Sequence, residues 1–451
     1  MIKDNTESWG KDKISKILLR LAPPVMLAQL IQALYNIVDS LFVGRFSESG
    51  LTALSIIYPL QLLMIALAVG IGVGINTIIA AKLGQNDKKS ADEYGGMALP
   101  IEISTWFIFA LISFFIMPLF ANLFSKSIEV INDVIIYGRI TSVFSFGLFL
   151  ESAWTKVIQA NGDMKTPMFA QIVGAIINIV LDPILIFGLI GFPKMGIAGA
   201  AIATVIGQIF AAIIVFFKGF RKAPSLNKYL KYTLNIIKIG LPNILMQAAY
   251  TVYIFGLNVV LETFSDQAVT ALGLYYKWQT FFFIPLGAMQ ACIVPLISYN
   301  YANKNFDRCK RTLFDSIIFG LIFMAIGTTC FLSIPSLMLK AFTSDPEVIR
   351  IGIIGFRFIG ISFLPMVTSL IFPVFFQAIG LGIKSSFLTI IRTVILFVPL
   401  GYLFSLLGLN WFWLTFPITE TLTTIVGVIF YISYCKKHHY KIIHMNVSLT
   451  N

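Results

Sequence analysis

Charge is scarce in this chain. Asp, Glu, Lys and Arg make up 12% of 451 residues, against about 25% in soluble domains, which excludes an ordinary soluble globular protein. Histidine is nearly absent: His438, His439 and His444 all fall in the basic C-terminal tail, where no metal site is expected. Four scattered cysteines, Cys292, Cys309, Cys330 and Cys435, show no metal or redox spacing and read as apolar or loop residues. The glycines Gly70, Gly72 and Gly74 have no strand before them and no Lys-Ser/Thr after. A nucleotide loop is therefore excluded, and small residues that let membrane helices approach are the better account. No ATP-binding motif appears, so no cofactor is expected and an ion gradient is the plausible energy source. The first 20 residues hold no short apolar core with a cleavage site, so no cleavable signal peptide is expected.

What is present is apolar length. Hydrophobic residues reach 57%, and spans of about 20 of them recur along the chain. The reading is an all-α polytopic membrane protein with twelve transmembrane helices. The first six are predicted at 21–44, 52–81, 93–118, 131–158, 166–190 and 196–217. The second six are predicted at 235–261, 268–300, 312–334, 347–377, 385–407 and 411–434. This divides the chain into a cytoplasmic segment 1–20, a six-helix bundle 21–217, a basic linker 218–234, a second bundle 235–434 and a tail 435–451. With the N-terminus inside, 24 of the 33 Lys and Arg residues lie in cytoplasmic segments, which predicts both termini on the cytoplasmic side of the cell membrane. The net charge of +12 thus reports topology, and no nucleic acid partner is expected.

The chain is also a duplication. A shift of 218 aligns Pro24 with Pro242, Gln29 with Gln247, Gln61 with Gln279, Glu129 with Glu347, Gln159 with Gln377 and Gly162 with Gly380. Six spans per copy is an even number, so the two bundles point the same way and are related by an axis along the membrane normal. That is a transporter architecture with its site between the halves, and it disfavours a channel.

The spans hold few acids. Asp182 is the one charge between Thr166 and Phe192; at midplane a carboxylate costs at least ~2.5–3.5 kcal/mol, which makes it a functional candidate. Asn178 lies four residues earlier on the same face, and Pro183 leaves the carbonyl of Ile179 without its helical partner. These oxygens could hold a cation. In the first span Gln32, Tyr35, Asn36 and Asp39 form a polar stripe. Asp39 either caps or pairs near the outer surface, where Arg45 is close in sequence, or meets Asp182 across a helix interface. In the second case the pair holds a proton or binds Na⁺ with Asn178. Thr204 either adds a hydroxyl oxygen or bonds back to its own helix. Glu151, five residues before Lys156, is read as an internal ion pair or helix-end contact, or else as a gating contact; Lys277 is read as paired or snorkelling, and Arg357 and Arg392 as paired inside the bundle. The aromatic content of 14% suits organic cations; Gln32, Tyr35 and Asn36 are the substrate candidates, and any single Phe of 281–283 or 372–376 is more readily packing.

A set of ordered short motifs then resembles the multidrug and toxic compound extrusion (MATE) family. They are Leu21 to Pro24, Asp39 with Phe42 to Gly44, Leu83 with Gly84, Gln159 to Asp163, Asn178 to Pro183, and Gly196 to Ala200 with Thr204. The resemblance runs from Leu21 to about Tyr434. It implies two six-helix bundles in a V, a monomer, and secondary active export of organic cations against H⁺ or Na⁺. It also implies a cation site on the first, fifth and sixth helices, here Asp39, Asn178, Asp182 and Thr204. The chain departs from the branch that uses C-terminal acids: span seven has Tyr250 and no carboxylate before Glu262, and span ten has none in its apolar middle. The alternatives are a lipid-linked oligosaccharide flippase of the same superfamily and an integral membrane enzyme. The enzyme would need a cluster of His, Asp or Glu at one interface, and the short loops show none.

Overall fold

A computed structural model describes residues 6–437; the three histidines and nearly all of the expected tail lie outside the described residues. In order the helices are α1 (Glu7–Lys11), α2 (Ile14–Phe46), α3 (Glu48–Gly84), α4 (Lys88–Gly96), α5 (Ala98–Phe124), α6 (Ile128–Val143), α7 (Phe146–Ala160), α8 (Lys165–Phe187) and α9 (Ile197–Gly219) in the first half. The second half has α10 (Tyr229–Glu262), α11 (Asp266–Phe282), α12 (Ile284–Ala302), α13 (Phe306–Ser333), α14 (Pro335–Lys340), α15 (Pro346–Ala378), α16 (Gly382–Ile390), a π-helical segment Ile391–Phe397, α17 (Val398–Ser405), α18 (Leu409–Phe412) and α19 (Thr415–Lys437). No strand occurs among the described residues.

Ten helical stretches are long and apolar enough to cross a membrane, and two bent pairs bring the number to twelve. The bends correct two expectations of unbroken spans: α6 meets α7 at 42°, and α11 meets α12 at 51°. The second break has a local cause. Pro285 stands in the first turn of α12, where it removes an N–H from the ladder. The two breaks fall at non-equivalent places of the two repeats, so the duplicated frame is not copied in detail.

The halves are packed together at the end that carries α1 and the connection to α10. There α3 crosses α10 at glycines: a Cβ on Gly74 would stand 3.0 Å from the amide nitrogen of Gly240, and one on Gly240 would press on the carbonyl of Gly70. This is the close approach expected of Gly70 to Gly74. Trp9 is fully buried at the same end, edge-on to Tyr299 with centroids 5.8 Å apart, and its carbonyl accepts from Asn300 and from Arg308 Nε at 3.0 Å. The basic connection is pinned to α4: Lys228 reaches Glu93 at 2.8 Å, Arg221 reaches Asp92 at 3.1 Å, and Tyr94 stacks on Tyr232 at 4.0 Å.

Candidate functional site

Three helices of the first half build the buried acidic site. The α8 and α9 backbones cross at two glycines: a Cβ on Gly207 would sit 2.6 Å from the carbonyl oxygen of Gly174. That crossing sets Asn178 beside Thr204, with Nδ2 to Oγ1 at 3.4 Å. The same amide nitrogen lies 3.4 Å from Asp182 Oδ1, one turn along α8. Packing of α2 against α8 brings in Asp39, whose carboxyl group lies within hydrogen-bonding reach of the Asp182 carboxyl. Asp182 is fully buried, and Asn178 and Asp39 nearly so.

Four sequence-predicted residues therefore converge: Asp39, Asn178, Asp182 and Thr204. The alternative of an Asp39–Arg45 pair does not form among the described residues. Asp39 Oδ1, Asp182 Oδ2 and Asn178 Oδ1 all lack a hydrogen-bond partner. Buried acceptors are normally satisfied, so three orphan oxygens in one cluster call for a shared proton or a hard cation, whose preferred ligands are oxygen atoms. The donor set fits H⁺ or Na⁺. No cluster of three or more His, Cys, Asp or Glu fit for a metal occurs among the described residues.

A cavity of about 80 Å³ adjoins this site, lined by Gln32, Tyr35, Glu151, Gln171, Asn178 and Thr204 among others. It admits water and an ion and is too small for an organic substrate. Gln32 and Tyr35 thus lie beside the acidic cluster. Asn36, the third substrate candidate, is exposed and lines neither cavity; it turns off the face shared by 32, 35 and 39. Tyr137, absent from the sequence analysis, places its hydroxyl near Thr204 and 3.4 Å from Gln61 Nε2.

A second cavity of about 500 Å³ lies between the halves. Gln29, Asn76 and Lys156 come from the first half, and Asn243, Tyr250, Gln279, Gln290, Gln377 and Arg392 from the second. Its volume suits a drug-sized ligand. The expectation of cationic substrates finds no carboxylate among these lining residues; both charged side chains are cations.

Several lone charges resolve differently from one another. Glu151 accepts from Thr155 at 2.8 Å, and no ion pair of Glu151 occurs among the described residues; Lys156 donates to Gln159 at 3.1 Å. Lys277 lies over the Phe342 ring, 5.2 Å from its centroid, and Arg357 is exposed. Arg392 has the expected interior partner, Glu420, at 2.6 Å in a buried pair that also takes Ser369. Sequence reasoning passed over Glu420, although one acid in the middle of 411–434 is the same signal that marks Asp182. Glu102 was missed likewise: it is fully buried, and neither carboxyl oxygen has a partner.

The MatE family model matches residues 24–184 and 242–403, so it matches once in each half. The two matches begin 218 residues apart and end 219 apart, consistent with one extra residue taken up by the π-helical segment. The chain is 25% identical over 428 residues to a multidrug export protein MepA of Staphylococcus haemolyticus, covering 93% of this chain and 94% of the relative. It is also 25% identical over 420 residues to a protein named FAD transporter of Shewanella oneidensis, covering 91% and 92%. Among solved structures, a MOP superfamily transporter from Pyrococcus furiosus, described as having a binding pocket of reverse polarity, superposes with a TM-score of 0.90 at 23% identity over 98% of this chain and all of that one. An outward-facing multidrug resistance MATE transporter gives 0.89, also at 23% and with the same coverage.

Proposed function

We infer the function of this chain from its membership: it belongs to the MatE family, and it acts as a secondary active exporter of small organic molecules in the cell membrane, not as an enzyme. The curated multidrug relatives support export, and the glycine-crossed, duplicated frame supports alternating access of the central cavity. The orientation that fits the Lys and Arg distribution puts both termini in the cytoplasm, with a monomer as the working unit.

The observation that carries the coupling role is the group of three orphan oxygens on Asp39, Asp182 and Asn178. Two adjoining carboxylates out of water repel one another, and H⁺ or Na⁺ between them relieves that repulsion. Ion entry draws α2 and α8 together; ion loss lets them part. Pro23 and Pro24 in α2 and Pro183 in α8 interrupt the backbone ladder where such bending is cheapest. An ion that binds one arrangement better than the other drives the exchange. Relatives named for multidrug export and for FAD support a frame that serves different cargo. The flippase alternative would require a lipid-linked cargo, which the small-molecule relatives do not support.

The test is efflux from energised cells of a dye panel (ethidium, rhodamine 123 and fluorescein), comparing wild type with Asp39→Asn at equal expression. Export of at least one dye by the wild type and its loss in the variant is expected. Equal export by both removes Asp39 from the mechanism.

A further inference from the structure

We propose that the central cavity takes organic anions: a flat or bulky body of drug size carrying a carboxylate, sulfonate or phosphate. This rests on the exporter reading and names the substrate class of its central site.

The charge pattern of the cavity carries the inference. Lys156 enters from α7 of the first half, and Arg392 enters from the π-helical segment of the second. They stand on opposite halves and line the same cavity, so a bound anion meets cationic groups from both halves of the wall. No Asp or Glu is among the lining residues. Glu151, the acid nearest Lys156 in sequence, opens instead on the small cavity of the first half. Glu420 holds Arg392 from behind: it is fully buried, lies outside the cavity lining, and takes Nε and Nη2. Nη1 has no hydrogen-bond partner among the described residues, so one edge of the guanidinium remains for a ligand oxygen. The Phe397 ring below the guanidinium, 5.1 Å from its centroid, and the Tyr253 ring at 5.8 Å fix its plane.

The rest of the wall is neutral and polar. Tyr250 donates to Gln279 Oε1 at 3.0 Å, which leaves the Gln279 amide N–H groups for a ligand. Gln377 is almost fully buried, and its Nε2 donates to the carbonyl of Ile239 at 3.4 Å. An organic cation would meet Lys156 on one wall, the guanidinium edge of the Arg392–Glu420 pair on the other and no carboxylate among the lining residues, which selects against it.

Fluorescein and rhodamine 123 test this, since they share a xanthene body and differ in charge. Binding to the purified full-length protein is measured by fluorescence anisotropy. Fluorescein is expected to bind at least roughly tenfold tighter than rhodamine 123, and Lys156→Glu to reverse the order. Asn243→Asp, which adds a carboxylate to the same wall without changing side-chain shape, is expected to weaken fluorescein binding and serves should the lysine variant fail to fold. Rhodamine 123 bound as tightly as fluorescein by the wild type overturns the inference. The exporter reading is separable. Asp39-dependent efflux of rhodamine 123 with no fluorescein binding sinks the anion site and leaves the exporter. A fluorescein preference without efflux of any dye leaves the anion site and sinks the exporter.

Discussion

The two cavities of this protein differ in size, sign and ownership. The small one belongs to the first half alone, about 80 Å³ beside two touching carboxyl groups. The large one, about 500 Å³, is shared by both halves and meets its contents with Lys156 and Arg392. Both arise on a duplicated frame, so the difference was made by substitution. Asp39 has Leu257 at the equivalent place, and the two candidates for Asp182, Leu400 and Gly401, carry no acid. In exchange the second half gained Arg392, Glu420 and a π-helical turn. One repeat carries the buried acids and the other lends a cation to the shared cavity.

That comparison can be broken most forcefully at Arg392. Arg392→Met strands the Glu420 charge in the core and is expected to cost about 3–5 kcal/mol, read as a lower melting temperature in detergent. Arg392→Met with Glu420→Leu should recover most of that loss. If the single variant melts like the wild type, the second half does not depend on its ion pair. Next comes Asp182→Asn, which removes a coupling carboxyl at nearly constant shape. Ion-driven export should drop by roughly 5–150-fold, the usual range of coupling energies, while probe binding in the central cavity stays near wild type. Lost probe binding would mean that the two cavities are one functional site.

Smaller effects sharpen the picture. Gly207→Ala forces a methyl group against the carbonyl of Gly174 and should cost about 1–3 kcal/mol, separating Asn178 from Thr204 and slowing export. Asp163, outside the membrane, accepts from the Thr166 hydroxyl, from the Lys165 and Thr166 amides at 3.0 Å, and from Lys218 at 3.0 Å. Burial alone would raise its carboxyl, but the Thr166 and Lys218 contacts outweigh burial and hold it below the usual range. Its folded value is depressed, so its contribution is present above the unfolded carboxylate value and is lost as pH falls through the folded one. Asp163→Ala should therefore cost about 1 kcal/mol at neutral pH, with the gap to wild type closing in acid. Glu102→Leu removes two unsatisfied oxygens from the core and should leave melting unchanged or raise it; a clear loss of export would give Glu102 a role in proton movement.

The membrane class, the twelve crossings, the 218-residue repeat and the four polar residues that the fold brings together, Asp39, Asn178, Asp182 and Thr204, were legible because each leaves a one-dimensional trace. Apolar length sets a crossing, and a lone acid in such a run is too costly to be idle. Where the same rule was not applied, at Glu102 and Glu420, the residues were missed although the signal was there. Other features left no trace of that kind. The helical stripe placed Asn36 with Gln32 and Tyr35, yet only packing could show that it faces outward. Tyr137 looks like any buried aromatic until α6 sets it beside Thr204. The cargo expectation leaned on aromatic content, but phenylalanines such as Phe331, Phe363 and Phe376 pack in the core while Phe107, Phe115 and Phe217 lie on the outer surface of the helices.

By itself the sequence determined how many times the chain crosses, which repeat carries the acids, and that those acids are too few and too buried to be surface charge. Only the tertiary structure decided which oxygens are left without partners and which charges face the central cavity. Hydropathy is a property of one residue after another, whereas an orphan oxygen or a cavity wall depends on where a second helix lies; at Gly174 and Gly207 that was fixed by the absence of two methyl groups.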